Sequence, residues 1–175
     1  MVHGQTEINV REMDPRRFGD WAIGKYALDK SIDEYEQMYA THYPGEFREA
    51  GRPVNTTPIY KKLKAQGAVF AETFGWERAK WFDNKSEGEK YSFRRNNSFD
   101  TVAEECRAVR ERVGLIDLSS FAKYEISGED AESFLGRICA NRLPKQDPDI
   151  SGKGGVALVH MLTELGGIEC EATLT

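Results

Sequence analysis

At 175 residues the chain has room for one ordinary domain or two small ones, and it is too short for a large multidomain enzyme. Its 24 Lys and Arg against 29 Asp and Glu leave a net charge of −5, which argues against general binding to nucleic acid or an anionic membrane, since both need concentrated positive charge. Apolar residues at 39% supply a core, yet no apolar run reaches the roughly 20 residues of a membrane span, and the opening MVHGQTEINV has no signal-peptide segment. Cys106, Cys139 and Cys170 lie more than 30 positions apart with no C-x-x-C, so neither a zinc site nor a disulfide framework is signalled. Three buried thiols in a reducing compartment are expected: the cytoplasm, or an organelle matrix.

Along the chain, Ser31-Ile-Asp-Glu34 has the form of a capping box and predicts a helix through about His42, with Ile32, Tyr35, Met38 and Tyr39 on one face and Pro44-Gly45 as its stop. Thr57-Pro58 predicts a short helix from Ile59 to about Gln66, ended by Gly67. Ala68 to Phe74 reads as a strand. The hydrophilic stretch Asp83 to Lys90 is the best linker candidate. Beyond it, Ser98 caps a predicted helix in which Phe99, Val102, Cys106, Val109 and Val113 recur at helical spacing, closed by Gly114. Leu115 to Leu118 and Ala122 to Ile126 read as short strands. Ser127 and Asp130 precede a helix carrying Ala131, Phe134, Leu135 and Ile138, and Asn141 to Gly155 is a polar connection with two prolines. Val156 to Thr163 and Ile168 to Thr175 then form a hairpin about the Leu165-Gly-Gly167 turn, with Ile168, Cys170, Ala172 and Leu174 alternating on the second strand. Because Thr175 falls inside that alternating strand, the chain is expected to be a piece of a longer protein.

No general chemical motif is present: there is no G-x-G-x-x-G, G-x-x-x-x-G-K-[ST], H-E-x-x-H or G-x-S-x-G. His3, His42 and His160 are scattered, suggest no metal site and read as structural or surface residues. The aromatic stretch Phe74-Gly-Trp-Glu-Arg-Ala-Lys-Trp-Phe82 has basic residues interleaved, a composition that can stack bases, but the acidic balance favours interdomain packing. Arg52, Arg78 and Arg94-Arg95 could meet phosphate or carboxylate, although ordinary ion pairs are the commoner fate. From the residues alone, the chain is a soluble α+β piece.

Two sets of ordered motifs carry a resemblance across essentially the whole chain. Val10-Arg-Glu-Met-Asp-Pro-Arg-Arg-Phe-Gly19, His42-Tyr-Pro-Gly-Glu46, Ala50-Gly-Arg-Pro-Val-Asn-Thr-Thr-Pro-Ile-Tyr60, Gly67-Ala-Val-Phe70 and Phe74-Gly-Trp-Glu-Arg78 resemble the central domain of the dimethylglycine and sarcosine dehydrogenases. Glu105-Cys-Arg-Ala-Val-Arg110, Val113-Gly-Leu-Ile-Asp-Leu-Ser-Ser-Phe-Ala-Lys123, Cys139-Ala-Asn-Arg142, His160-Met-Leu162 and Gly166-Gly-Ile-Glu169 resemble the opening of the aminomethyltransferase-like, tetrahydrofolate-binding domain that follows in the same enzymes. The resemblance implies an α+β chain in two parts. Residues 1–90 would be a small mixed central domain linking FAD and folate domains, with the end of the flavin region at 1–25. Residues 91–175 would be the incomplete N-terminal part of the folate-binding fold.

What the resemblance implies about function is an FAD-dependent oxidoreductase that demethylates an N-methylated glycine and passes the one-carbon unit to tetrahydrofolate. The FAD domain itself would lie outside this chain, since no G-x-G-x-x-G is present, and the isolated piece would be inactive. Carried over position by position, Phe121 and Leu158 fall at apolar contacts to the folate, and Glu171 falls at the key acidic position, which is usually Asp. A carboxylate there can bond the pteridine or manage a proton at the reacting nitrogen. Composition alone makes Phe121 and Leu158 core residues and Glu171 an outward-facing surface carboxylate. The expected partner is a small N-methylated substrate in the parent, with no metal, nucleic acid or membrane, and with self-association of the fragment through its unfinished strand. The alternative is a standalone, non-redox folate-binding or scaffold module of the aminomethyltransferase fold.

Overall fold

The computed structural model describes residues 13–145 and 155–175; His3, the start of the first motif and most of the 141–155 connection lie outside them. The chain divides into two compact units, Met1–Ala122 and Lys123–Thr175. Helices and two separate antiparallel two-stranded sheets make it α+β, as the sequence predicts.

In the first unit, Asp14 caps a 3-10 turn over Pro15–Phe18: its carboxylate accepts the Arg16 N–H at 3.0 Å and the Arg16 guanidinium, bonds that hold its pKa down at about 2. Helix α1, Lys25–Glu36, opens at Gly24, whose φ of 69° admits the change of chain direction. This corrects the capping-box reading. Ser31 is a mid-helix residue, and its hydroxyl donates to the Ala27 carbonyl at 2.7 Å instead of capping a new turn. The helix also stops well before Pro44, and near its end the Arg48 guanidinium donates to the Asp33 carbonyl (3.3 Å) and forms an ion pair with the Asp33 carboxylate (3.1 Å). Helix α2, Tyr60–Ala65, lies within the predicted span and ends before Gly67, at φ 84°.

Strand β1, Ala68–Thr73, is as predicted, and the aromatic stretch after it is its partner strand β2, Trp76–Phe82. Phe74 and Gly75 both have positive φ, 49° and 78°, the conformation of a two-residue hairpin loop. A Cβ at Gly75 would sit 2.6 Å from the Trp21 ring, so only glycine fits there. The register skips Lys80, the extra residue of a bulge, and its ammonium bonds the Gly45 carbonyl at 2.9 Å and the Glu89 carboxylate. The stretch 83–90 is tied to this unit: Asp83 accepts backbone N–H groups from Lys85 and Gly88, and the Tyr91 hydroxyl accepts from the Phe47 N–H. Helix α3, Phe99–Glu111, packs on β2, and its Glu105 accepts the Phe82 N–H at 3.3 Å.

The strands expected at Leu115–Leu118 and Ala122–Ile126 do not form; both segments are irregular. Leu115 is 94% exposed and, among the described residues, neither segment has a neighbouring strand to complete a ladder, so β propensity alone does not make them strands.

The second unit contains helix α4, Ala131–Ile138, and the hairpin of β3, Ala157–Leu162, with β4, Ile168–Leu174. The turn closes through the Thr163 N–H to the Gly167 carbonyl (2.8 Å), with Gly166 at φ 81°. Pleat alternation puts Ala157, Val159 and Met161 with Cys170, Ala172 and Leu174 on one face, and Val159 there is buried at 2% exposure. Of the three cysteines, only Cys139 is buried; Cys106 and Cys170 are exposed, which corrects the expectation of three buried thiols.

Candidate functional site

The opposite face of the β3–β4 hairpin carries Leu158 and His160 on β3 and Glu171 and Thr173 on β4. Leu158 pairs with Thr173 and His160 with Glu171, in the regular part of the ladder on the far side of the bulge from the turn. The His160 Nε2 lies 3.0 Å from Glu171 Oε2. The Glu171 side chain is 55% exposed and that of His160 28%, so the carboxylate looks outward while the imidazole beneath it is the more enclosed partner. Leu158 is 53% exposed, an apolar surface diagonally adjacent to the carboxylate. One hairpin face therefore offers an acceptor, an imidazole and an apolar wall.

The hairpin brings together two of the three residues singled out from the sequence, Leu158 and Glu171. Phe121 belongs to the first unit, where the Arg78 guanidinium lies 4.6 Å over its ring. His160 is the residue that sequence reasoning set aside as structural. Its signal was available: pairing the two predicted strands about Leu165-Gly-Gly167 places His160 opposite Glu171.

A concavity of about 690 Å³ opens in the first unit between α1, α2 and β1, with Arg48, Arg52, Tyr60, Lys64, Glu77 and Tyr91 among its lining. Its arginines are committed to the protein itself. Arg52 donates to both oxygens of Glu77 (2.8 and 2.7 Å) and to the Phe70 carbonyl (2.9 Å), and the bonds to Glu77 hold its proton more tightly than usual. Arg48 pairs with Asp33 and Glu34. These pairs are a structural network, the fate expected for Arg52. Arg95 likewise lies 4.1 Å over the Phe99 ring. Among the described residues no group of three or more His, Cys, Asp or Glu is gathered as for a metal ion, and no helix is long and apolar enough to cross a membrane.

Two family models match. The FAD dependent oxidoreductase central domain covers residues 3–57, and the GCVT N-terminal domain covers residues 59–175. Rat mitochondrial dimethylglycine dehydrogenase is 35% identical over 178 residues, an alignment that takes in 100% of this chain and 20% of the rat protein. Human mitochondrial sarcosine dehydrogenase is 28% identical over 203 residues, with 100% of this chain and 22% of that protein covered. The mouse mitochondrial pyruvate dehydrogenase phosphatase regulatory subunit is 32% identical over 182 residues, covering 99% of this chain and 20% of the mouse protein. The chain thus spans about a fifth of the length of these relatives. With a GCVT model over most of its length and a central-domain model over the remainder, the chain belongs to the FAD-dependent oxidoreductase family that includes the dimethylglycine and sarcosine dehydrogenases.

Proposed function

We propose that the chain is the central and leading folate-domain portion of an FAD-dependent enzyme that demethylates an N-methylated glycine, dimethylglycine or sarcosine, and delivers the one-carbon unit to tetrahydrofolate. The observation that carries this reading is the placement of Glu171 and Leu158 on one exposed hairpin face, within the span of the GCVT match. A flat pteridine with N–H donors suits that face: Glu171 can accept its N–H groups and Leu158 can pack against its ring. Bound there, tetrahydrofolate would supply the nucleophilic nitrogens that take up the one-carbon unit. Glu171 would orient those nitrogens and take or return a proton at Oε1 or Oε2.

FAD does not fit these residues. Both sheets are antiparallel hairpins, so among the described residues no strand leads through a glycine-rich turn into a crossover helix whose N-terminus could hold a pyrophosphate. The flavin step is therefore assigned to other parts of the parent protein, and no activity is assigned to the 175 residues alone. In a eukaryote the mitochondrial matrix is the proposed compartment, in keeping with the mitochondrial relatives; otherwise it is the cytoplasm.

The test is Glu171→Gln in the full-length protein, measured as methylenetetrahydrofolate formed per flavin reduced. That ratio should fall by about 10²-fold, the usual loss for a general acid–base group, with formaldehyde released instead. An unchanged ratio, or a loss located wholly in flavin reduction, would overturn the assignment. Similarity to the phosphatase regulatory subunit favours a second reading, a non-redox module on the same fold. The colour of the purified full-length protein separates the two: a flavin absorbance band supports the enzyme, and its absence supports the module.

A further inference from the structure

We propose that His160 is a positioning residue for Glu171, holding one carboxylate oxygen so that the other is presented to the ligand on the same hairpin face. This rests on the folate reading above. The Nε2···Oε2 separation of 3.0 Å is a hydrogen-bond distance, and the two residues are direct cross-strand partners, with regular pairing on the flanking positions Val159–Ala172 and Met161–Cys170. The imidazole is the fixed member of the pair. Its own backbone is pinned on the side away from β4: the His160 N–H donates to Asn141 Oδ1 at 2.9 Å, and the His160 carbonyl accepts the Ala140 N–H at 2.8 Å. Those bonds tie β3 at this residue to the segment that leaves α4.

Glu171, more than half exposed on a sheet edge, has several rotamers open to it, and ordering it on ligand binding costs side-chain entropy. A ring N–H already bonded to Oε2 removes part of that cost. A carboxylate accepts at two oxygens, so Oε1 stays open to ligand N–H donors while Oε2 is held. With Nε2 as donor, the neutral ring keeps Nδ1 as its acceptor. An exposed pair of this kind adds at most about 1 kcal/mol to stability, so orientation, and not folding, is the property it can control.

The experiment is a double-mutant cycle in the full-length protein, again reading methylenetetrahydrofolate formed per flavin reduced. His160→Leu should lower the ratio by about tenfold, as expected for a reacting group left misplaced. His160→Gln, whose amide N–H reaches the position of Nε2, should restore it to within about threefold of the parent. His160→Leu added to Glu171→Gln should lower it no further, because the imidazole acts only through the carboxylate. His160→Asn, polar but too short to reach Oε2, should behave as His160→Leu and covers the case in which leucine disturbs folding. A full ratio in both the Leu and Asn variants, no rescue by Gln, or additive losses in the double variant would each overturn the inference while leaving the folate reading intact. No effect of Glu171→Gln would overturn both. In the 175-residue chain itself, the His160 Nε2 resonance in long-range ¹⁵N NMR should move when Glu171 becomes Gln; a resonance that stays in place overturns the pair directly.

Discussion

Arg52 and Glu77 show how single residues hold the first unit together. Glu77 is 3% exposed, and both its oxygens are met by the Arg52 guanidinium, which also reaches the Phe70 carbonyl across the hairpin. Removing the cation leaves a buried carboxylate with no compensating charge, the costly way to break such a pair. Arg52→Met should therefore destabilise the chain by about 3 kcal/mol in urea unfolding; a loss under about 1 kcal/mol would show that water reaches Glu77. Tyr26 makes a pH-dependent contribution. Its hydroxyl donates to Glu72 at 2.5 Å, and burial, reinforced by that bond, raises its pKa well above the usual tyrosine range. The folded chain thus holds the phenolic proton more tightly than the unfolded chain, where tyrosine titrates near about 10. Stability from Tyr26 is complete below that pH and drains away as pH rises above it. Urea midpoints of the parent should fall above pH ~10, and those of Tyr26→Phe should fall less steeply. Tyr91, also raised by burial, should leave a residual slope. Equal slopes in the two proteins would contradict the assignment.

At the scale of elements, the sequence signals that failed were those read one at a time. Ser31-Ile-Asp-Glu34 has the spacing of a capping box, yet Gly24 starts the helix seven residues earlier and Ser31 turns its hydroxyl back to Ala27. Ser31→Ala should consequently change stability by under about 0.5 kcal/mol, where loss of a true N-cap costs about 1; a full capping loss by urea unfolding would restore the original reading. The aromatic segment 74–82 holds a strand whose pattern its composition conceals. The Phe74-Gly75 turn and the alternation on either side of it are hairpin features, and the buried positions they produce, Glu77 and Trp81, are not adjacent in sequence. The elements read correctly, α2, α3, α4, β1 and the β3–β4 hairpin, are those with a stop signal such as Gly67 or Gly114, or with regular periodicity over several turns.

At the scale of the whole molecule, little of the described chain is fully buried: Ala71, Trp81, Cys139 and Val159 are the apolar residues below the surface, while Leu115, Tyr124, Leu165 and Ile168 are largely exposed. Both sheets have only two strands, and hairpins of that size gain independent stability only by packing against something else. The 175-residue chain on its own should therefore associate at high concentration, with β4 as one contact. Sedimentation over a concentration series should show this, and a monodisperse monomer at the highest concentration would contradict it. The α+β class, the order of most elements, the family and the outward face of Glu171 were legible in the amino-acid sequence. The family follows from the resemblance of its ordered motifs, and the rest from periodicity, stop residues and pleat alternation, which are local. Only the tertiary structure decided that Arg52 is spent on Glu77, that Phe121 lies under Arg78, that segments 115–118 and 122–126 are not strands, and that His160 stands 3.0 Å from Glu171. Each of those depends on what a second, sequence-distant segment places opposite the residue, and no local pattern carries that partner.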